Sequence, residues 1–316
     1  MLGTPHRPAV AAAVAPYGAL LAAAALWGSN PVVARLIGAA IPPITLSWLR
    51  WLLVLCVLLP FIWRERHAIG EALRRDWRIL GPLALLANVP QSALIYKGLE
   101  TTTAVNVGLL NSTIPVLILL LGGLFFGRRI ATREVAGIAI SLVGVAAILF
   151  QGSAERVLTL SLERGDLFAF GGMVTWALYT LLLPRRPPLP LLAFVAAMSI
   201  FGVTLAAPAV LAEVALDRAP QLDAGALAAL GYIALGPTLG GTLAYSYGAE
   251  RVGPLHAGIF IHFMPVFASL FAVTLLGERL QAFHLLGFAL VAGGALVALH
   301  FRRLLSSPPG AATRSS

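Results

Sequence analysis

Polar groups are scarce in this chain, and those that could do chemistry stand singly inside apolar runs. Trp27, Ser29 and Asn30 precede Pro31 in one run, and Asn88 and Gln91 flank Pro90 in another. Asn106, Asn111 and Ser112 precede Pro115, and Trp176 stands three residues before Tyr179. Tyr245 and Tyr247 follow Pro237, and His256 and His262 precede Pro265. None has the company that bond-making needs. The two histidines are six apart, not the i, i+4 that puts two metal ligands on one helical face. No Ser/His/Asp set, HExxH run or nucleotide-binding loop is present. No catalytic residue, metal or cofactor is therefore assigned. What these groups can do is hold a small molecule, with indole and phenol rings for apolar contact and amide, hydroxyl and imidazole groups for orientation.

The elements that carry them are membrane spans. The 316 residues are 59% hydrophobic and 11% charged, with a mean hydropathy of +0.89. A soluble domain carries about 25% charged residues, so a soluble enzyme or binding module is excluded. A spanning helix takes about 20 apolar residues. Ten such runs can be read, at about 17–37, 44–63, 79–97, 104–126, 134–151, 166–183, 189–211, 225–248, 255–276 and 283–301. What is left fills short loops and tails, with no room for an extramembrane domain. Leu117 to Leu121 do not alternate as barrel strands do. The formal charge of +9 reflects arginine gathered in loops rather than an affinity for nucleic acid. Cys56 is the single cysteine and lies inside a run, so no internal disulfide forms.

The chain also repeats. Shifted by 150 residues, Gly98, Glu100, Gly108, Pro115, Gly127, Arg129, Gly137 and Gly144 fall on Gly248, Glu250, Gly258, Pro265, Gly277, Arg279, Gly287 and Gly294. Shifted by 149, Trp27 falls on Trp176. Residues 1–151 and 166–301 thus read as two five-helix copies, joined by a linker at 152–165 and followed by a polar tail at 302–316. Five crossings per copy put the second copy in upside down. That is an inverted repeat, with a pseudo-two-fold axis in the membrane plane and a solute site between the copies. Fifteen arginines fall on the side of the N-terminus and six Arg or Lys on the other. The excess puts both termini in the cytoplasm and the linker outside.

Each candidate has a functional and a structural reading. Trp27 and Trp176 lie about ten residues into their spans, about 15 Å deep at 1.5 Å per residue. Trp48, Trp63 and Trp77 suit the interface belts; the deep pair suits a cavity wall or helix packing. Pro31 frees the Trp27 carbonyl, which a substrate or Ser29 can use. Pro90, Pro115, Pro237 and Pro265 lie at near-matched places in the two copies and read as hinges or as static kinks. Asn88, Gln91, Asn106, Asn111, Ser112, His256 and His262 face a cavity, or glue helices at about 0.6 kcal/mol each; either histidine could also relay protons. Arg50 sits inside the second span, where an arginine costs roughly 2.5–3.5 kcal/mol on insertion scales. It snorkels, pairs, or captures a substrate carboxylate.

The stretches Leu26-Trp-Gly-Ser-Asn-Pro31 and Leu46-Ser-Trp-Leu-Arg50 resemble the start of an EamA-type unit, and Met264-Pro-Val266 through Leu276-Gly-Glu-Arg-Leu280 resembles its end. Across about residues 17–301, the chain resembles the ten-helix drug/metabolite transporter superfamily. The first copy departs at Gly127-Arg128-Arg129, which lacks the acid that Glu278 supplies in the second. The resemblance implies an all-α carrier of the bacterial inner membrane, commonly an exporter of amino acids or other small metabolites. The deep aromatics favour the amino-acid branch; a drug, nucleoside or sugar-conjugate exporter and a non-transporting or lipid-handling membrane protein are the alternatives. The first span lacks the acidic residue on which small multidrug exporters of that superfamily depend. The expected substrate-binding set is Trp27, Ser29, Asn30, Asn88, Gln91, Asn111, Trp176, Tyr179, Tyr245 and His262, in a monomer whose other partner is membrane lipid.

Overall fold

The computed structural model describes residues 7–30, 33, 41–102, 104–159, 163–216, 220, 222–276 and 281–299. Among these the regular structure is all helix, with no strand. The first copy runs α1 (Arg7–Gly28), α2 (Pro43–Ile62), α3 (Arg66–Arg75), α4 (Trp77–Ala87), α5 (Val89–Leu99), α6 (Ala104–Asn111), α7 (Ile114–Phe126) and α8 (Thr132–Leu149). The second runs α9 (Arg164–Leu182), α10 (Leu191–Ala215), α11 (Ala224–Ile233), a π-helical stretch (Ala234–Gly240), α12 (Gly241–Val252), α13 (Pro254–Ile259), a 3-10 turn (Phe260–Phe263), α14 (Met264–Leu276) and α15 (Ala282–Leu299). Among the described residues, eight helical runs are long and apolar enough to cross a membrane, and two shorter apolar helices, Val14–Gly28 and Ile114–Phe126, accompany them. Pro31, Glu278 and the tail lie outside the described residues.

The helix interruptions fall where the prolines predict irregular backbone. α4 and α5 meet at Asn88, whose φ of −95° and ψ of −122° are not helical, two residues before Pro90. A residue before proline is pushed out of the helical region, and here the break falls one step earlier. The matching place in the second copy is the π-helical stretch around Pro237, where the Thr238 hydroxyl donates to the Ile233 carbonyl at 2.7 Å. α6 and α7 part at Ser112 and Thr113, just before Pro115. The matching stretch, Phe260–Phe263, is the 3-10 turn before Pro265. α7 stops at Gly127, whose φ of +61° suits glycine at a helix C-terminus. Arg128, just after it, bonds the buried carboxylate of Glu134 at 2.9 Å.

The two copies meet reciprocally. A Cβ on Gly137 of α8 would lie 2.5 Å from the Gly294 carbonyl oxygen of α15, and one on Gly294 would lie 2.5 Å from that of Gly137. Gly144 and Gly287 meet likewise, at 2.8 and 2.9 Å. Since Gly137 and Gly287 are mates, as are Gly144 and Gly294, the contact is the same with the copies exchanged. Gly98 approaches the Gly165 carbonyl as its mate Gly248 approaches that of Pro16, at 2.7 and 2.8 Å. Residues on the exchange axis touch their own mates. The Ser141 hydroxyl donates to the Val291 carbonyl at 3.3 Å, and His262 Nε2 lies 2.9 Å from the Ser112 carbonyl oxygen, both pairs 150 residues apart.

Candidate functional site

Trp27 of α1 and Trp176 of α9 also meet as mates. Their rings stand edge to face with centroids 5.2 Å apart. Tyr245 of α12 lies 5.2 Å from Trp27 and 5.4 Å from Trp176, and Tyr179, one turn beyond Trp176, lies 5.1 Å from it. Such spacings fall in the attractive range for aromatic pairs. Both phenols are sealed off, Tyr179 0% and Tyr245 1% exposed, while Trp27 is half-buried. The polar tips of Trp27, Tyr179 and Tyr245 each have a partner, as buried indoles and phenols require. The Trp27 indole N–H donates to the Pro237 carbonyl at 2.8 Å, inside the π-helical stretch. The Thr180 hydroxyl donates to the Trp176 carbonyl at 2.9 Å. Its contact with the Tyr245 hydroxyl at 3.1 Å therefore has the phenol as donor. The Tyr179 and Ser246 hydroxyls pair at 3.1 Å.

The other expected residues do not join this cluster. Ser29 donates to the Leu26 carbonyl at 2.6 Å and so accepts from the Tyr232 hydroxyl at 2.7 Å. The Asn30 Oδ1 next to it is buried with no hydrogen-bond partner among the described residues. Asn88, fully buried, donates Nδ2 to the Met198 carbonyl of α10 at 2.7 Å; its Oδ1 has no partner there. The amide thus ties the α4–α5 break to the second copy. Gln91 accepts from Ser92 at 3.2 Å, and its carbonyl backs onto Gly172 of α9, one turn before Trp176. Asn111 closes α6, half-buried, beside Ser112. The carbonyl of Ser112 can only accept, so His262 holds its proton on Nε2, and Nδ1 is buried without a partner among the described residues.

Some neighbours were not singled out from the sequence. Thr180 and Ser246 complete the phenol hydrogen bonds; Thr180 stands four residues after Trp176 and Ser246 next to Tyr245, so helical spacing alone could have added them. Tyr232 and Tyr96 had no such signal. Trp63 and Trp77 are exposed as the belt reading expects, while Trp48 turns its indole inward to the Val203 carbonyl at 2.9 Å. Asn106 holds the Asp166 carboxylate at 3.1 Å together with Thr102. Among the described residues, no group of three or more His, Cys, Asp or Glu could hold a metal ion.

A chain of two like halves has counterparts among known proteins. The profile of the EamA-like transporter family matches twice, at residues 15–150 and 163–299. The chain belongs to the EamA-like transporter family. This EamA-like chain is 27% identical over 301 residues to "Uncharacterized transporter YetK" of Bacillus subtilis (strain 168), covering 93% of this chain and 90% of that one. It is 26% identical over 276 residues to "Uncharacterized inner membrane transporter YedA" of Escherichia coli (strain K12), covering 87% of each. A solved crystal structure superimposes with a TM-score of 0.72 at 22% identity, over 94% of this chain and 99% of that one, a likeness of fold. The EamA-like assignment makes the protein a membrane transporter built of two like units.

Proposed function

We propose that this transporter is a secondary carrier of the bacterial inner membrane that exports small amphipathic metabolites, neutral amino acids with aromatic or other apolar side chains foremost. The observation that carries this reading is the contact between Trp27 and Trp176 with Tyr179 and Tyr245 packed on it. Rings from both copies close the centre, and an apolar side chain entering between them meets π faces on every side. Ser29, Asn30, Asn88, Gln91 and Asn111 supply amide and hydroxyl groups to orient the polar end of a solute, and His262, bonded to the Ser112 carbonyl, lines the site as a neutral imidazole that steadies the axis between the copies. The reciprocal contacts support an inverted arrangement of the copies about an axis in the membrane plane. In that arrangement, opening toward one face and opening toward the other use equivalent motions. The matched irregularities at Asn88–Pro90, Ala234–Gly240, Ser112–Pro115 and Phe260–Pro265 are where those motions bend, and the carrier works as a monomer on the substrate gradient.

The test is flux of labelled phenylalanine, methionine and threonine from proteoliposomes holding the full chain. Phenylalanine or methionine flux above that of empty vesicles is the expected result. Flux of a nucleoside or sugar conjugate alone would move the solute class, and no flux of any small solute would sink the carrier reading. Orientation is tested separately. A cysteine at Ser153 should react with a membrane-impermeant reagent from outside intact cells, and one at Ser307 should be protected; the opposite pattern would reverse the topology.

A further inference from the structure

We propose that Arg50, with Ser47, Trp51 and Tyr96, forms the site that takes the carboxylate of the transported solute. The proposal rests on the carrier reading above and names the chemical group that fits one part of it.

Arg50 lies seven residues into α2, about 10 Å from its start at 1.5 Å per residue, and is 9% exposed. It does not snorkel into lipid, which would leave its guanidinium open. Nor is it paired. The ion pairs among the described residues engage Arg75, Lys97, Arg128 and Arg186, and none reaches Arg50. Arg186 shows what the fold does with a half-hidden guanidinium when it means to neutralise it: Glu250 takes two of its nitrogens. Arg50 instead gives one Nη1 bond to the Tyr96 hydroxyl at 2.8 Å, and its Nε is buried without a partner among the described residues. Because the phenol accepts from Arg50, its own proton remains to be given.

The groups beside Arg50 lack the same thing. Ser47 lies one turn before Arg50 and Trp51, on the ridge between them. Its hydroxyl and the Trp51 indole nitrogen are both buried with no hydrogen-bond partner among the described residues. Within little more than one turn α2 thus carries a guanidinium N–H, an indole N–H and a hydroxyl, and the Tyr96 hydroxyl meets the guanidinium from α5. The guanidinium and the indole can only donate, the Tyr96 hydroxyl still has its proton to give, and no acceptor meets Arg50 Nε, the Trp51 indole or the Ser47 hydroxyl among the described residues. Buried polar groups in native structures are nearly always satisfied, and a fixed cation inside a membrane marks a functional partner. A carboxylate supplies what is missing: one negative charge and two oxygens that accept several N–H and O–H bonds, in the planar form that guanidinium matches. The position also serves the aromatic centre. α2 packs on the π-helical stretch, whose Pro237 carbonyl holds the Trp27 indole, so the carboxylate end and the ring end of one solute would lie on either side of that stretch.

The test uses the full-length carrier in detergent, with phenylacetate and phenylacetamide as probes of equal shape and different charge. Thermal midpoints are read across a concentration series of each. Wild type should be protected by phenylacetate and at least tenfold less well by phenylacetamide. R50Q, checked as a single folded species by size exclusion, should lose that preference, and R50K should keep part of it. If R50Q does not elute as a folded carrier, R50K and S47A decide, and each must narrow the acid-over-amide ratio. Equal protection by acid and amide, no protection of wild type by phenylacetate, or an unchanged ratio in the variants would overturn the site. Acid preference lost in R50Q, with no amino-acid flux from wild type, would keep the carboxylate site and remove the proposed solute class. Phenylalanine flux that R50Q leaves unchanged would do the reverse.

Discussion

Two regions of this molecule obey the same exchange of copies and differ in what lies between them. At the seam of α8 and α15 nothing intervenes, and Gly137 and Gly144 put backbone against the backbone of Gly294 and Gly287. At the centre, four large rings from α1, α9 and α12 lie together, with touching neighbours 5.1 to 5.4 Å apart between centroids. The seam helices run unbroken from Thr132 to Leu149 and from Ala282 to Leu299. The helices around the centre are interrupted at Asn88, Ser112, Pro237 and Phe260. Close backbone contact has one good geometry and resists sliding. Ring contacts and irregular turns have several arrangements of similar energy. On the proposed carrier reading, the difference says where motion belongs: the seam would be the fixed part, and the centre the part that opens.

The largest effect should come from putting a side chain into the seam. Gly137→Leu or Gly294→Leu places carbon atoms inside the opposite backbone, and overpacking of this kind costs about 1–3 kcal/mol or more. The expected result is a carrier that no longer elutes as one folded species, or whose thermal midpoint falls steeply. Gly293→Ala is the control, because nothing lies within 4 Å of a Cβ there; it should leave the midpoint unchanged. A Gly294→Leu protein as stable as wild type would end the description of the seam as fixed.

Next comes the centre. Trp27→Phe keeps a ring in the cluster but leaves the buried Pro237 carbonyl without the indole proton, a loss of about 1–3 kcal/mol. Solute flux should fall about tenfold while the protein still elutes as folded. Unchanged flux in Trp27→Phe and in Trp176→Phe together would make the aromatic centre simple packing. Smaller again is Pro237→Ala, which restores an N–H and lets the π-helical stretch regularise. Thermal stability should hold or rise, and maximal flux should drop about threefold with little change in the half-saturating concentration. A fall in affinity instead would place Pro237 in binding rather than in bending.

The seam was legible because its signal is local and repeated: small residues seven apart in one run, found again 150 residues on. The deep tryptophans were legible for the same reason, and Tyr179 followed from its spacing to Trp176. What the sequence could not convey was partnership across the fold. Trp27 finds its acceptor 210 residues away, and the amide of Asn88 is taken by a carbonyl on α10, which no periodicity announces. Arg50 is the sharpest case. Its residue type and depth could be read from the chain, but whether an acid from another helix neutralises it depends on three-dimensional neighbours. Only the arrangement of α2 against α5 shows donors gathered without an acceptor.

The smallest expected effect concerns His262 and sharpens the contrast between binding by rings and coupling by charge. A proton carrier needs a group that gains and loses its proton as the two faces open in turn. His262 Nε2 is committed to the Ser112 carbonyl, and Nδ1 faces no hydrogen-bonding group among the described residues. Its place between broken helices of the two copies suits a hydrogen bond that steadies the axis, worth about 0.6 kcal/mol as such bonds between spans go. His262→Gln can keep an N–H directed at Ser112. Its flux should stay within about twofold of wild type, while His262→Ala should fall slightly further. An imposed pH gradient should drive no accumulation in sealed proteoliposomes of either wild type or His262→Gln. Concentrative uptake that follows the gradient, collapses with an ionophore and vanishes in His262→Gln would replace the uniport reading with proton exchange. It would also move the coupling from the aromatic centre to the axis where His262 meets its own mate.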